Sequence, residues 1–218
     1  MQINKLLTTV NYNKGNGKQN KYIVIHYVGA TGGAEANCKY FKSVNRNASA
    51  HYFVGHKGEI WQCVEDKDIA WHCGAKSYKH AYCRNSNSIG IEMCCRQKAN
   101  GTWYFEDATV AATIELVKYL MGKYNIPVEN VIRHYDVTGK NCPEPYVTNS
   151  GSWNTFKSKL KEEKPMANLD NTPDNYAKEA IAWAIGSGVL KGSADGNYKL
   201  HSAVTRQDML VFLYRALK

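Results

Sequence analysis

No stretch of this 218-residue chain approaches the roughly 18 consecutive apolar residues of a membrane span. Residues 1–11 also lack the apolar core of a signal peptide. Together these absences predict a protein with no membrane partner, made and kept in the cytosol until another agent releases it. Lysine or arginine runs, a helix-turn-helix pattern and zinc-finger spacing are missing too, which argues against nucleic acid as the partner of a chain of net charge +9. An even set of cysteines is absent as well. There are seven, in a chain too long to need disulfide staples, so reduced, buried thiols are expected. Cys94 and Cys95 are adjacent in an apparent strand, where their side chains would leave opposite faces, and receive no metal or redox role.

With 44% hydrophobic and 22% charged residues, the chain can build one ordinary domain and a small one. The charge is uneven: residues 1–164 hold 22 Lys/Arg against 14 Asp/Glu, and residues 165–218 hold 6 against 5. Residues 21–27 read as a central strand, 35–43 as a helix, 51–55 and 58–63 as a hairpin, and 88–93 as another strand. Val110, Ile114, Val117, Leu120 and Met121 give residues 106–124 a helical period, and Trp153, Phe156 and Leu160 mark a later helix. The charged run 157–164 followed by Pro165 suggests a linker. Two further helices are expected over 176–187 and 205–217.

His134 and Cys142, eight residues apart, are two of zinc's preferred ligand types. A third is on offer in Ile23-Val24-Ile25-His26-Tyr27, near the end of a β-branched run. Two histidines and a cysteine would leave a fourth position open to water, as in a catalytic rather than a structural zinc site. Glu92, after the apolar Ile89-Gly90-Ile91, is a candidate general base because burial would raise its pKa; the alternative is a strand-end carboxylate satisfied by a basic residue. His51 and His72 either line a groove or pack in the core, and Trp71 offers a flat face to a sugar ring or peptide stem. His56, His80 and His201 receive no role.

Four segments, in order, resemble the zinc-dependent N-acetylmuramoyl-L-alanine amidases and the peptidoglycan recognition proteins that share their fold. They are Tyr22-Ile23-Val24-Ile25-His26-Tyr27, Ala48-Ser49-Ala50-His51-Tyr52-Phe53-Val54, Ser88-Ile89-Gly90-Ile91-Glu92 and the stretch from His134 to Pro143. The resemblance implies an α/β fold with a mixed central sheet flanked by helices, and a Zn2+ cofactor on His26, His134 and Cys142. It also implies that Glu92 is the base and that Lys140 stabilises the oxyanion, the bland alternative for Lys140 being a solvated loop cation. Other branches of the family carry a catalytic tyrosine at the position held here by Ala50, which shifts weight onto Glu92; Tyr52 is offset by two residues and is expected in the core.

A second resemblance covers nearly all of 174–217. Ala180 to Ile185, Gly188-Val189-Leu190-Lys191-Gly192, Asp195-Gly196-Asn197-Tyr198 and Thr205-Arg206-Gln207-Asp208 are similar to an S-layer homology module, a small all-α unit that in its family anchors proteins to secondary cell-wall polymers. Thr205, Arg206 and Asp208 would bind that polymer. Asp208 shortens the carboxylate usual there, which puts polymer specificity in doubt. The family usually carries three copies and this chain has one, so a module of residues 166–218 would gain stability by self-association. Lys161-Glu162-Glu163 can be encoded by a purine-rich ribosome-binding sequence at about the initiator distance from Met166. That position is either an internal start yielding a free module or a plain linker residue.

The expected organisation is therefore a zinc amidase domain over 1–161, a linker over 162–168 and a wall-binding module over 169–218. The expected activity is hydrolysis of the amide between N-acetylmuramic acid and L-alanine in peptidoglycan. A phage or prophage endolysin is the expected source, and a basic surface suits a wall rich in phosphate and carboxylate polymers. A bacterial autolysin is one alternative. A non-catalytic peptidoglycan recognition protein is another, which Cys142 argues against. A recycling amidase would have no use for an anchor.

Overall fold

Alternation at period two sends Ile23 and Ile25 to one face of their strand and Val24 and His26 to the other, and the whole site follows from that division. The computed structural model describes residues 1–15, 20–162, 170–193, 196–204 and 206–216. Met166, Thr205, the side chain of Asp208 and all but the first residue of the expected linker lie outside the described residues. The strands are β1 (Ile3–Lys5), β2 (Tyr12–Asn13), β3 (Tyr22–Tyr27), β4 (Tyr52–Val54), β5 (Ile60–Gln62), β6 (Ile69–Ala70), β7 (Ser88–Met93), β8 (Arg96–Gln97), β9 (Trp103–Tyr104) and β10 (Val131–Arg133). The helices are α1 (Ala34–Lys42), α2 (Asp107–Tyr124), α3 (His134–Thr138), α4 (Glu144–Val147), α5 (Ser150–Lys161), α6 (Lys178–Gly186) and α7 (Arg206–Ala216).

Six strands form a mixed sheet in the order β1-β5-β4-β7-β3-β10. Only the β4–β5 hairpin is antiparallel. Its turn includes Gly58 at φ +82°, a left-handed conformation that glycine adopts without strain. The sheet is the mixed, helix-flanked α/β architecture expected. One face presents Ile23, Ile25, Tyr52, Val54, Ile89 and Ile91 to Leu116, Val117 and Leu120 of α2 and to Trp153, Phe156 and Leu160 of α5. The opposite face packs Phe53, Cys63 and Cys94 with Ala34 and Cys38 of α1. Val24 packs with Val137 of α3, Cys73 and Cys83. All seven cysteines are free and buried.

The buried stripe of α2 departs from the apolar pattern. Thr109, Thr113, Leu116, Val117 and Leu120 are buried, while Val110, Ile114 and Met121 are only partly so. Both threonines satisfy their hydroxyls locally: Thr109 Oγ1 donates to the Gly55 carbonyl at 2.9 Å and Thr113 Oγ1 to the Thr109 carbonyl at 2.7 Å. A buried hydroxyl with an acceptor in reach costs little, which is why threonine can replace an aliphatic residue here.

The chain divides into two compact units, Met1–Glu162 and Glu163–Lys218. In the second, α6 ends in a turn where Ser187 N–H donates to Trp183 O and Leu190 N–H to Ala184 O. Asp170 and Asn171 pin the connection before α7: His201 N–H donates to Asp170 Oδ2 at 2.6 Å and Tyr198 N–H to Asn171 Oδ1 at 2.7 Å. None of the described residues of this unit is buried, and Trp183, Val189 and Leu210 are each about two-thirds exposed, at 66%, 70% and 66%. Among the described residues no helix is long and apolar enough to cross a membrane.

Candidate active site

The parallel register of β3 and β7 sets His26 directly beside Glu92. On the other side of β3, β10 runs parallel with Arg133 opposite Ile25, so the next residue, His134, arrives level with His26 as α3 begins. Arg133 fixes that junction by donating through Nε and Nη2 to the Asp136 carboxylate and through Nη1 to the Tyr146 carbonyl. The loop after α3 folds back where Tyr135 N–H donates to Cys142 O at 2.8 Å, bringing Cys142 beside the two imidazoles. All of this happens at the carboxyl ends of adjacent parallel strands, the usual location for a site in an open α/β sheet.

His26, His134 and Cys142 are buried, and one donor atom from each lies within 4.8 Å of the others. His26 Nδ1 is 3.8 Å from Cys142 Sγ and 4.0 Å from Glu92 Oε1. Tetrahedral zinc, with bonds of about 2.0–2.3 Å, places its ligands roughly 3.5 Å apart, so these residues need only small adjustments to close on a cation. His134 Nδ1 and Glu92 Oε2 are buried without a hydrogen-bond partner. Orphaned acceptors of this kind, among soft and borderline donors, fit a divalent metal such as zinc.

Burial dominates the electrostatics. It lowers His26 well below the ordinary histidine value, helped by His134 and His72, and takes His134 down to about 4, helped by Lys140. Both imidazoles are therefore neutral, the form that binds metal. Burial also pushes Glu92 up to about 8, against the pull of Lys140, and Cys142 up to about 12, with Glu92 adding to the rise. A bound cation would act in the opposite direction on both acids.

A cavity of about 260 Å3 opens onto these groups, lined also by Tyr27, Phe41, Ser49, Trp71, His72 and Lys140. A neighbouring cavity of about 730 Å3 shares Trp71, His72, His134 and Lys140 with it, so the two adjoin as one groove. Trp71 is anchored on Ser49, whose Oγ accepts its backbone N–H at 2.9 Å. Lys140 is exposed on the loop before Cys142.

His51 does not line the groove. It is fully buried, its Nδ1 accepting from Gly90 N–H at 3.0 Å and its Nε2 3.2 Å from the Asp68 carbonyl, so both ring nitrogens tie strands together. His72 reaches the cavity, but its nitrogens are engaged by His26 and Ser88. Tyr52 is core, as expected, with its hydroxyl donating to Asp66, which also accepts from Gln62, Lys123 and Tyr124. Tyr27, Phe41 and Ser49 were not anticipated as cavity residues. The one signal for Ser88 is its place two and four residues before Gly90 and Glu92, on the same strand face.

Residues 16–145 match the family model described as N-acetylmuramoyl-L-alanine amidase, and residues 169–210 match the S-layer homology domain. The chain is 31% identical over 193 residues to the N-acetylmuramoyl-L-alanine amidase BlyA of Bacillus subtilis strain 168, an alignment covering 81% of this chain and 51% of BlyA. It is 35% identical over 187 residues to the N-acetylmuramoyl-L-alanine amidase CwlL of Bacillus licheniformis, covering 81% of this chain and 50% of CwlL. The chain thus spans about half the length of these curated relatives. Among solved structures, that of PlyL superimposes with a TM-score of 0.63 at 28% identity, covering 75% of this chain and 99% of PlyL.

Proposed function

The chain belongs to the N-acetylmuramoyl-L-alanine amidase family, and from that premise we propose that it hydrolyses the amide joining N-acetylmuramic acid to the first L-alanine of the peptidoglycan stem. The observation that carries this reading is the convergence of His26, His134 and Cys142 beside Glu92 in an open groove. His26, His134 and Cys142 would hold a zinc ion, which when bound would supply Lewis-acid chemistry, activating water and polarising the scissile carbonyl. Glu92 takes the proton of the attacking water and returns it to the departing amine, a role favoured by its place across from His26 and its unpartnered Oε2. Lys140 supplies positive charge for the oxyanion of the tetrahedral intermediate. Trp71 offers its face to the sugar or stem, and His72 shapes the same wall of the groove. Digestion of purified Gram-positive peptidoglycan tests the reading. New alanine amino termini that vanish with chelator and return with zinc support it, whereas new reducing sugar ends, or binding without cleavage, would overturn it.

The amidase domain of the proposal runs over 1–161, followed by a linker over 162–168. The second domain, 169–218, directs the enzyme to a secondary wall polymer through Thr205, Arg206 and Asp208, in the manner of an endolysin held in the cytosol until lysis. This module associates with further copies of itself, because about 50 residues make a thin core, none of its described residues is buried, and Trp183, Val189 and Leu210 stay exposed. An internal start at Met166, the alternative to a plain linker residue there, would supply free modules. Sedimentation of the full chain should show more than a monomer, and expression from the native gene should give a second, short species that Met166→Leu removes. A monomer, or one species unchanged by that substitution, would remove the respective part.

A further inference from the structure

Ser88, Gly90 and Glu92 share one face of β7, directly across from Tyr22, Val24 and His26 of β3. Gly90 is needed there: a Cβ would sit 2.5 Å from His72 Cγ, so the imidazole of His72 rests against bare backbone. His72 is held from behind by Asn85, whose Oδ1 accepts from His72 N–H at 3.2 Å and Cys73 N–H at 2.8 Å. In that position its Nδ1 is 3.0 Å from His26 Nε2 and its Nε2 is 3.2 Å from Ser88 Oγ. Ser88 Oγ is 2.7 Å from the Arg84 carbonyl.

The far end sets the direction of this chain of hydrogen bonds. A carbonyl only accepts, so the Ser88 hydroxyl donates to Arg84 O and accepts from His72 Nε2–H. His72 Nδ1 is then bare and accepts from His26 Nε2–H. The lone pair of His26 therefore lies on Nδ1, the atom that faces Cys142 Sγ and Glu92 Oε1. We propose that His72 and Ser88 are positioning residues that hold His26 in its Nε2-protonated tautomer and so present Nδ1 to a metal ion; the last clause rests on the reading of His26 as a ligand. Outer partners of this kind fix ring orientation and tautomer at metal sites, and their loss commonly weakens metal binding about 10- to 100-fold.

Long-range 1H–15N correlation NMR of the metal-free full chain reports the tautomer directly. His26 is expected with its proton on Nε2 in the wild type; a proton on Nδ1 would overturn the proposal. Chelator-competition titration with zinc should then show affinity falling about 10- to 100-fold in His72→Ala, and less in Ser88→Ala. His72→Gln, whose side-chain carbonyl can still accept from His26, should recover most of the loss. A folded His72→Ala chain with wild-type zinc affinity would contradict the relay. If His72→Ala does not fold, Ser88→Ala and the wild-type tautomer decide the matter. A wild-type chain that binds no zinc would sink the metal reading alone, since the tautomer is measured without metal.

Discussion

The two units differ most in what they bury. In Met1–Glu162 a six-stranded sheet packs Ile23, Ile25, Ile89 and Ile91 under α2 and α5, and the same strands carry His26 and Glu92 on their other face. In Glu163–Lys218 no described residue is buried. The contrast teaches that a preorganised polar site needs a rigid apolar backing. Neutral imidazoles, a raised carboxyl and an orphaned nitrogen are all costly, and only a fully packed sheet holds them in place. The second unit carries no comparable cluster of buried titratable groups among its described residues; what it presents is surface.

The largest effect that would break this comparison belongs to the chemistry. Glu92→Gln should lower kcat by about 10²- to 10⁴-fold, with zinc content and wall binding intact. Loss of wall binding in that variant, measured by co-sedimentation, would mean the units do not divide the labour as described.

Core truncations come next. Phe156→Ala should destabilise the first unit by about 3–5 kcal/mol, since its ring is 1% exposed. Trp183→Ala should change the thermal unfolding of that unit by less than about 0.5 kcal/mol while reducing self-association. Denaturant melts and sedimentation of the two variants separate these outcomes.

The pH dependence sharpens the contrast within the first unit. Metal-free His51 and His134, both held near 4, bind fewer protons folded than unfolded. The stability they contribute is present above the ordinary histidine value and is lost as pH falls from about 6.5 toward 4. Glu92 acts oppositely. Raised from 4.5 to about 8, it favours the folded state below the lower value, and that contribution disappears as pH rises through the upper one. Metal-free melts should therefore show a loss of stability on both sides, and Glu92→Gln should remove only the part lost as pH rises from 4.5 to about 8. The smallest effect is expected at Arg206→Ala, which should weaken wall retention several-fold while leaving hydrolysis of soluble fragments unchanged, read by co-sedimentation and a muropeptide assay.

Much of the sheet was legible because β3 and β7 are six-residue runs with clear patterning, and the β4–β5 hairpin has a glycine at its turn. β1 and β10, three residues each, are too short to display a period and went unread. The stripe of α2 was displaced by Thr109 and Thr113, whose hydroxyls look polar in sequence and find acceptors only once the fold brings Gly55 near. The cluster of His26, His134 and Cys142 was visible from residue chemistry and motif order. The roles of His51 and His72 were not, because their partners lie 16 to 46 residues away and depend on strand register. Only the folded sheet distinguishes a histidine that braces strands from one that braces another histidine.

The most direct test compares the full chain with residues 1–162 on a soluble muramoyl-peptide, scoring zinc content and new alanine amino termini. One zinc per chain and the same kcat are expected for both proteins, with the shorter one impaired only on intact walls. A shorter chain that lacks zinc, or leaves the soluble amide uncut while the full chain cleaves it, would contradict a self-sufficient site in the first unit.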